Sequence, residues 1–96
     1  MRNEVIHDIE GNQFYLEFEG KRAFLDYKEI DVKLLEYHRT FVPRALRKQG
    51  LASLVVYAAL EYARKNEIRI IPACSFVKHF IETHKVYRDL VAGDNT

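Results

Sequence analysis

Up to Val42 the chain alternates apolar and polar side chains with a period of two residues, which is the pattern of half-buried strands. The alternation predicts a strand over residues 5–9, a second that starts at Gln13 and a third over residues 23–27. Residues 32–42 predict a fourth strand, whose apolar residues on both faces indicate a central position in the sheet. Because only short turns join these strands, the region is predicted to be an antiparallel meander.

Beyond Pro43 the spacing of apolar residues changes to that of a helix. Residues 50–64, with the sequence GLASLVVYAALEYAR, place apolar side chains three and four positions apart and predict an amphipathic helix that ends at Asn66. The apolar run at residues 68–74 predicts a short strand that Pro72 ends or bulges. A helical crossover favours a parallel, adjacent pair of strands, so the fourth and fifth strands should be neighbours.

The carboxy-terminal part carries a second helical pattern. Ser75 is predicted to cap a helix whose apolar face holds Phe76, Val77, Phe80 and Ile81. Residues 84–90 predict a turn or short helix, and residues 92–96 predict a frayed tail. The sequence therefore predicts one domain over residues 1–96 with an α/β (α+β) fold: an antiparallel meander, a parallel strand–helix–strand unit and a short carboxy-terminal helix.

Composition narrows the class of protein. Of the 96 residues 48% are hydrophobic, enough for one compact core and too many for a disordered chain. The net charge of +1 excludes a protein that coats nucleic acid or anionic membrane. With the single Cys74, neither an internal disulfide nor a cysteine-based metal site is expected, and a reducing cytoplasm fits best. Residues 1–13 lack the apolar run of a signal peptide, so we expect a protein that is neither secreted nor membrane-spanning.

A cationic segment stands out against this balanced charge. Between Glu36 and Glu61 the chain has no carboxylate, yet it carries His38 and four cations: Arg39, Arg44, Arg47 and Lys48. Since the whole chain carries +1 and this segment +4, the remainder carries −3, and a local cationic segment on such a chain indicates one anionic ligand. Gly50 opens the long helix, where free backbone N–H groups and the helix dipole favour a phosphate.

The junction between the fourth strand and the long helix resembles a known motif. Residues 42–52, VPRALRKQGLA, contain R-x-x-G-x-A and resemble the pyrophosphate-binding motif Q/R-x-x-G-x-G/A of the GNAT superfamily, the acyl-CoA-dependent N-acyltransferases. With the segment IIPACSFV at residues 70–77, the short chain resembles the minimal GNAT-like subfamily. Residues 84–90, HKVYRDL, are similar to that subfamily's H-P-E-Y-x-D-L, with Lys85 in place of Pro.

The resemblance implies acetyl-CoA as a ligand and a set of residues that bind it. The CoA pyrophosphate would be held chiefly by backbone N–H groups of consecutive residues: Arg47, Lys48, Gln49, Gly50, Leu51 and Ala52. Phe41 and Val42 would lie along the pantetheine arm, where the two parallel strands separate. Candidates for the distal phosphate are Arg44, Lys78 and Lys85, each with a solvated surface position as the alternative.

Three catalytic candidates also follow from the resemblance. Cys74, at the end of the last strand, is either the acetyl acceptor of a covalent route or a buried hydrophobe. His38 is the candidate base, which strict alternation places on one face with Thr40; Arg39, on the opposite face, is the alternative occupant of that position. Tyr87 either protonates the departing CoA thiolate or packs and forms a hydrogen bond.

We therefore expect an acetyl-CoA-dependent N-acetyltransferase that acts on an amine of a small molecule or a protein, as a monomer or weak homodimer, without a metal. The alternative is a CoA-binding sensor or adaptor that lacks catalytic activity. A nucleic-acid-binding module that uses the cationic segment is disfavoured, because aromatic residues are not interleaved with its cations. Larger GNAT members place two helices between the first and second strands as a wall of the acceptor site.

In this chain Gly11 and Asn12 predict a tight turn between the first and second strands, in place of those two helices. The acceptor site is therefore expected to be unusually open. Such a site would take a large or macromolecular amine, borrow a wall from another subunit or show little selectivity.

Overall fold

The computed structural model describes residues 4–93. In chain order its elements are β1 (Ile6–Asp8), β2 (Gln13–Phe18), β3 (Lys21–Asp31), β4 (Leu34–Phe41), a 3-10 turn (Arg44–Leu46), α1 (Leu51–Lys65), β5 (Arg69–Pro72), α2 (Ser75–Thr83) and a 3-10 helix (Lys85–Leu90). The predicted α/β fold class is confirmed. Of the tail predicted to fray, residues 94–96 lie outside the described residues, whereas the N–H of Ala92 donates a hydrogen bond to the carbonyl oxygen of Ile70.

The five strands form one sheet in sequence order, β1-β2-β3-β4-β5. The first four pair antiparallel, and β4 pairs parallel with β5 across the α1 crossover. The meander, the central position of β4 and the parallel fifth strand are thus confirmed. A tight turn joins β1 to β2, where the Asp8 carboxylate accepts a hydrogen bond from the N–H of Gly11 at 3.0 Å.

One face of the sheet, here called the core face, is buried against α1. Its alternating strand residues are Phe14, Leu16, Ala23, Leu25, Tyr27, Leu35 and Tyr37, and α1 contributes Leu51, Val55, Val56, Ala59, Leu60 and Ala63. Helix α2 adds Val77, Phe80 and Ile81 to the same cluster. The buried hydroxyl of Tyr37 donates to the carbonyl oxygen of Ala59 at 2.7 Å, so this polar group is satisfied inside the core.

The opposite face, here called the open face, is largely exposed. It carries the side chains that alternate with the core residues, among them Ile6, Asp8, Glu17, Arg22, Arg39 and Phe41. An antiparallel sheet with one solvated face explains the clean apolar and polar alternation of its strands. No helix within residues 4–93 has both the length and the hydrophobicity that crossing a membrane requires.

Differences from the sequence expectations include the start of β4, the end of β3 and the cap of α2. β4 begins at Leu34, because Val32 and Lys33 form the turn from β3. β3 extends to Asp31, beyond the predicted end at residue 27. The prediction that Ser75 caps α2 is wrong: Cys74 occupies the N-cap position with extended backbone angles, and Ser75 is the first helical residue. The cysteine thereby takes the position from which a side chain meets the free N–H groups of a helix.

The amino-terminal strand is fixed to the core by an aromatic cluster around His7. The imidazole stacks on Phe14 with ring centroids 4.0 Å apart, meets Tyr62 edge-on at 4.4 Å, and forms a 2.7 Å hydrogen bond with the hydroxyl of Tyr27. Burial lowers the pKa of His7 below its ordinary value of 6.5, against the opposing effect of the neighbouring Asp8 carboxylate. His7 is therefore held neutral in the folded protein near pH 7.

This cluster predicts a loss of stability in acid. Because the pKa of His7 is lower in the folded state than in the unfolded chain, its contribution is complete above pH 6.5 and is lost as the pH falls through the lowered value. We expect the free energy of unfolding by urea to fall between about pH 7.5 and about pH 5.5, and to fall less in His7→Phe. His79→Phe, on an exposed part of α2, serves as the control; equal falls in His7→Phe and the parent would contradict the assignment.

Candidate functional site

The parallel strands β4 and β5 pair over one stretch and then separate. Their last paired residues are Tyr37 and Pro72. The next two N–H groups of the chain, those of Ala73 and Cys74, both donate to the carbonyl oxygen of Tyr37 at 3.1 Å, which ends the ladder. Since β4 continues to Phe41, its edge beyond Tyr37 has no neighbouring strand among the described residues. The separation expected from the sequence is present.

A β-bulge lies in β4 at this point. The register with β3 shifts at His38, which is opposite no residue of β3 and is the extra residue of the bulge. A bulge interrupts the alternation of faces, and Thr40, paired with the buried Leu25, therefore shares the core face with Tyr37. The expectation of strict alternation from His38 to Thr40 is wrong for this reason.

His38 and Arg39, the alternative occupants of one predicted position, differ in their contacts. Arg39 lies on the open face, where its Nε is 3.8 Å from the Asp26 carboxylate and its guanidinium lies over the Phe24 ring, 5.2 Å from the centroid. His38 is half-buried, and its imidazole forms no hydrogen bond or ion pair with any other residue in the range 4–93. The imidazole of His38 is thus available for proton transfer, whereas Arg39 is engaged.

A cleft of about 400 Å³ opens where β4 runs past the end of β5, against the amino terminus of α1. It is lined by Thr40, Phe41, Val42, Leu46, Arg47, Lys48, Gly50, Leu51, Ala52, Ser53 and Phe76. Of the residues predicted to bind the pyrophosphate and the pantetheine arm, all except Gln49 line this cleft, whereas Arg44, a candidate for the distal phosphate, does not. The structure thus brings together the end of β4, the cationic loop and the first turn of α1.

Four lining residues were not predicted from the sequence: Thr40, Leu46, Ser53 and Phe76. Ser53 could have been predicted, because the third residue after the N-cap Gly50 still has an N–H group without an intrahelical partner. Nothing in the sequence indicated that Phe76 lines the cleft, because its helical spacing predicts a core position in α2. Its place beside the cleft depends on the path of the chain after β5.

The loop before α1 holds backbone conformations that expose its N–H groups. Lys48 has φ +69° and Gly50, the N-cap of α1, has φ +75°. No side chain within residues 4–93 caps this helix, so the first-turn N–H groups of Leu51, Ala52 and Ser53 lack an intrahelical partner. A Cβ at Gly50 would meet no atom within 4 Å, so the space beside this backbone is open to a ligand.

Cations surround this helix terminus. The Nε of Arg47 donates to the carbonyl oxygen of Val42 at 3.1 Å, which fixes the side chain across the loop. Lys48 and Arg44 are exposed and have no ion-pair partner in the described part of the chain. The first turn of α1 carries no acidic residue. Helix dipole and side chains together make this end of the cleft attractive to an anion.

Cys74 lies beside the cleft, at the N-cap of α2. Its Sγ is 3.4 Å from the Oγ1 of the lining residue Thr40. Burial raises the pKa of the Cys74 thiol, but the hydroxyl of Thr40 and the nearby backbone N–H groups of Val77, Phe76 and Thr40 outweigh this effect, so the pKa lies below its ordinary value of 9.0. Stabilised thiolates of this kind, near a helix N-terminus, are nucleophilic.

Tyr87 lies outside the set of cleft-lining residues. Its buried hydroxyl donates to the Glu61 carboxylate on α1, and its ring packs against Phe80 with centroids 6.4 Å apart. Burial, followed by the hydrogen bond to Glu61, raises the pKa of Tyr87 above its ordinary value. The structure therefore gives this side chain the packing and hydrogen-bonding arrangement that was the alternative to a catalytic one.

The remaining cationic candidates lie away from the cleft lining. Lys78 lines a smaller cavity of about 180 Å³ between α2 and the carboxy-terminal segment, and Lys85 begins the last 3-10 helix. In residues 4–93 no three His, Cys, Asp or Glu side chains are grouped so as to hold a metal ion.

Both the sequence and the fold of this chain have counterparts in other proteins. The sequence profile of the GCN5-related N-acetyl-transferase family matches residues 13–90. The protein NATD1 of Bos taurus is 29% identical over 80 residues, which cover 81% of this chain and 71% of the relative, and human NATD1 is 26% identical over 80 residues, with the same coverage. The solution NMR structure of a GCN5-like protein of Staphylococcus aureus, assigned to the N-acetyltransferases, superposes with a TM-score of 0.73 at 32% identity and covers 99% of this chain and 94% of its own.

The contact between Thr40 and Cys74 predicts the reactivity of the thiol. In Thr40→Val one hydrogen bond that lowers the pKa of Cys74 is lost while burial persists, so the pKa should rise. The pH dependence of alkylation by iodoacetamide measures this value. Thr83→Val, whose hydroxyl bonds only to backbone of α2 and to His84, is the control and should leave the profile unchanged; an unchanged profile in Thr40→Val would refute the assignment.

Proposed function

Because the chain belongs to the GCN5-related N-acetyltransferase family, we propose that it binds acetyl-CoA in the cleft at the start of α1 and transfers the acetyl group to an amine. The observation that carries the proposal is the uncapped amino terminus of α1, open at Gly50 and surrounded by unpaired cations. Family members use acetyl-CoA and an acceptor, and the donor set found here fits that ligand's phosphates.

The pyrophosphate of CoA is proposed to bind at the loop before α1. Its ligands are proposed to be the N–H groups from Lys48 to Ser53, in a loop where Lys48 and Gly50 hold left-handed backbone angles of the kind that anion-binding loops use. A lysine in that conformation costs about 1 kcal/mol or more, and such strain is found at binding loops. Arg47 and Lys48 add positive charge beside these N–H groups. Arg44, which is exposed at the start of the same loop, is proposed to meet the distal phosphate.

The acyl end of the ligand is proposed to lie along the free edge of β4. Phe41 and Val42 line the cleft there, and Phe76 closes it on the α2 side. An extended amide chain that enters this gap would find backbone groups of β4 beyond Tyr37, which have no strand partner within residues 4–93. The chain would thus bring a thioester towards Thr40 and Cys74.

Two routes of transfer are compatible with this arrangement. In the covalent route the Cys74 thiolate attacks the thioester carbonyl carbon, the bond from that carbon to the CoA sulfur breaks, and CoA leaves as a thiolate. The amine then attacks the new thioester, forms the amide and releases the Cys74 thiolate. In the direct route the amine attacks the carbonyl carbon of the bound thioester, the bond from that carbon to the CoA sulfur breaks, and the proton that the amine nitrogen loses passes to the departing CoA thiolate or to solvent. The lowered pKa of Cys74 supports the covalent route.

His38 is proposed as the base of either route. His38 follows Tyr37, the last residue of β4 that pairs with β5, and its half-buried ring is unengaged by other described residues, although it does not line the cleft. An imidazole there would take the proton of Cys74 or of the incoming ammonium group. Tyr87 is proposed to support the fold rather than the chemistry, since its hydroxyl is donated to Glu61.

The acceptor is proposed to be bulky or loosely selected. The tight turn between β1 and β2 leaves the open face exposed, so the side of the cleft formed by Phe41 has no neighbouring wall among residues 4–93. We further propose the cytoplasm as the compartment, because the single thiol in a site of this kind works only in its reduced form.

A matched pair of glycines tests the phosphate site. Gly50 and Gly20 have φ +75° and +76°, and a Cβ at either position would meet no atom within 4 Å. Alanine at either position should lower the free energy of unfolding by about 1 kcal/mol. Only Gly50→Ala should weaken acetyl-CoA binding by calorimetry, because its methyl group enters the phosphate site. Equal affinities of the two variants would contradict the proposed site.

Thermal unfolding with acetyl-CoA tests binding in the unmodified protein. Ligand at about 100 times its dissociation constant should stabilise the fold by about 2.7 kcal/mol. An unchanged midpoint at saturating acetyl-CoA would remove the basis of the proposal.

Intact-mass analysis separates the routes and the non-catalytic alternative. After incubation with acetyl-CoA alone, the covalent route predicts a gain of one acetyl group that is absent from Cys74→Ala. If Cys74→Ala still acetylates an added polyamine or lysine peptide, transfer is direct. His38→Ala should slow transfer by about 10²-fold or more, whereas the control His79→Ala should not. Binding without acetylation of any amine would identify a CoA-binding sensor or adaptor.

A further inference from the structure

A smaller cavity, here called the second cavity, lies between α2, the end of β5 and the segment that follows the last 3-10 helix. Its volume is about 180 Å³. Six residues line it: Pro72, Lys78, Ile81, Glu82, Arg88 and Val91. None of these six lines the cleft at the start of α1, so the two spaces are separate.

The apolar part of this lining is held in place by the core and by β5. Ile81 is only 4% exposed and packs in the hydrophobic core. Val91 forms a parallel bridge with Ile70 of β5, and the N–H of Ala92 donates to the carbonyl oxygen of Ile70 at 2.9 Å. The guanidinium of Arg69 donates to the carbonyl oxygen of Val91 at 3.2 Å. The second cavity is therefore formed by the fold before any ligand binds, as small-molecule sites usually are.

The polar part of the lining consists of three exposed charged residues, Lys78, Glu82 and Arg88. Lys78 and Glu82 are four residues apart on α2, a spacing at which opposite charges commonly pair. Within residues 4–93, however, none of the three side chains forms an ion pair or a hydrogen bond. Two cations and one carboxylate thus border one apolar space, and their hydrogen-bonding groups are not used by the described residues.

We propose that the second cavity binds one small aliphatic α-amino acid. The ligand's carboxylate would be held by Arg88 and Lys78, because a guanidinium can donate two parallel hydrogen bonds to a carboxylate and an ammonium group adds charge. The ligand's ammonium group would face Glu82. Its alkyl side chain would cover Ile81 and Val91, which removes apolar surface from water.

The composition of the lining selects this class of ligand over simpler ones. An alkyl carboxylate would meet the two cations but would leave the Glu82 carboxylate without a partner. An alkylamine would meet Glu82 and leave both cations unpaired. Sites for drug-sized ligands begin at about 300 Å³, so a nucleotide is too large for this space. Among these classes, a short alkyl chain that carries both charges matches every part of the lining.

The proposed amino acid is a second ligand and not the acceptor of the acetyl group. Its ammonium group would be paired with Glu82, which lines the second cavity and not the cleft. The proposal therefore does not depend on acetyl-CoA binding or on acetyl transfer. Its test needs neither, and either proposal can fail without the other.

Titration of the isotope-labelled protein with L-leucine, followed by NMR in the absence of acetyl-CoA, tests the site. We expect weak binding, with a dissociation constant of about 1 mM, because the three charged side chains are exposed to water. The amide signals of Ile81, Glu82 and Val91 should shift and reach saturation, whereas those of Ala52 and Ser53 in the cleft should not move. The absence of a saturable shift, or shifts that are not confined to the second cavity, would overturn the proposal.

Two analogues of leucine test the assignment of the charges. Isocaproate keeps the alkyl chain and the carboxylate but lacks the amino group, and isoamylamine keeps the chain and the amino group but lacks the carboxylate. Each should bind about tenfold more weakly than leucine, because each loses one charge-assisted contact. Equal affinities of leucine and both analogues would show that only the alkyl chain is recognised and would refute the proposed site.

Matched substitutions test the residues themselves. Arg88→Gln should weaken leucine binding by about tenfold, whereas Lys85→Gln, which removes an exposed cation of the same 3-10 helix outside the cavity, should not. Glu82→Gln should abolish the preference for leucine over isocaproate, and Glu67→Gln, an exposed acid beyond α1, should retain it. All four side chains are exposed, so each variant should fold, which circular dichroism checks. Equal leucine affinities of Arg88→Gln and Lys85→Gln, or an unchanged preference in Glu82→Gln, would contradict the assignment.

Discussion

The carbonyl oxygen of Tyr37 accepts hydrogen bonds from the N–H groups of both Ala73 and Cys74, and the rest of the cleft depends on this point. Up to Tyr37 the two parallel strands share an ordinary ladder. Beyond it β5 ends and α2 begins, while β4 continues to Phe41. A single acceptor thus ends the pairing of two strands and leaves a gap between elements that are otherwise held rigidly in the sheet.

The core holds that point in place. The side chain of Tyr37 is fully buried and donates its hydroxyl to the carbonyl oxygen of Ala59, so the same residue ties β4 to α1 with its side chain and to β5 with its backbone. The bulge at His38 follows immediately and turns Thr40 to the core face, beside Cys74. The cationic start of α1 lines the cleft and the Cys74 thiol contacts the lining residue Thr40, each held at the beginning of a packed helix.

Much of the fold follows from local patterns. The two-residue alternation located four strands, and the three- and four-residue spacing located α1 nearly to its ends, because burial on one face is what those periods record. The cationic loop was also predictable: a run without carboxylates before a glycine-started helix is a local feature. The start of β4, predicted at Val32, and the cap of α2 were predicted wrongly. Both depend on which backbone groups the neighbouring elements leave free, and a pattern of residue types does not contain that information.

The sequence by itself determined the fold class, the loop that attracts an anion and the identity of the single thiol, since all three depend on residues close together in the chain. Only the tertiary structure decided which side chains share a site. The bulge at His38 moved Arg39 to Asp26 on the open face, and the hydrogen bond to Glu61 placed Tyr87 outside the cleft lining. Both outcomes depend on the register between strands and on contacts between residues far apart in sequence. These are set by the packing of the whole core, so no local pattern of residue types encodes them.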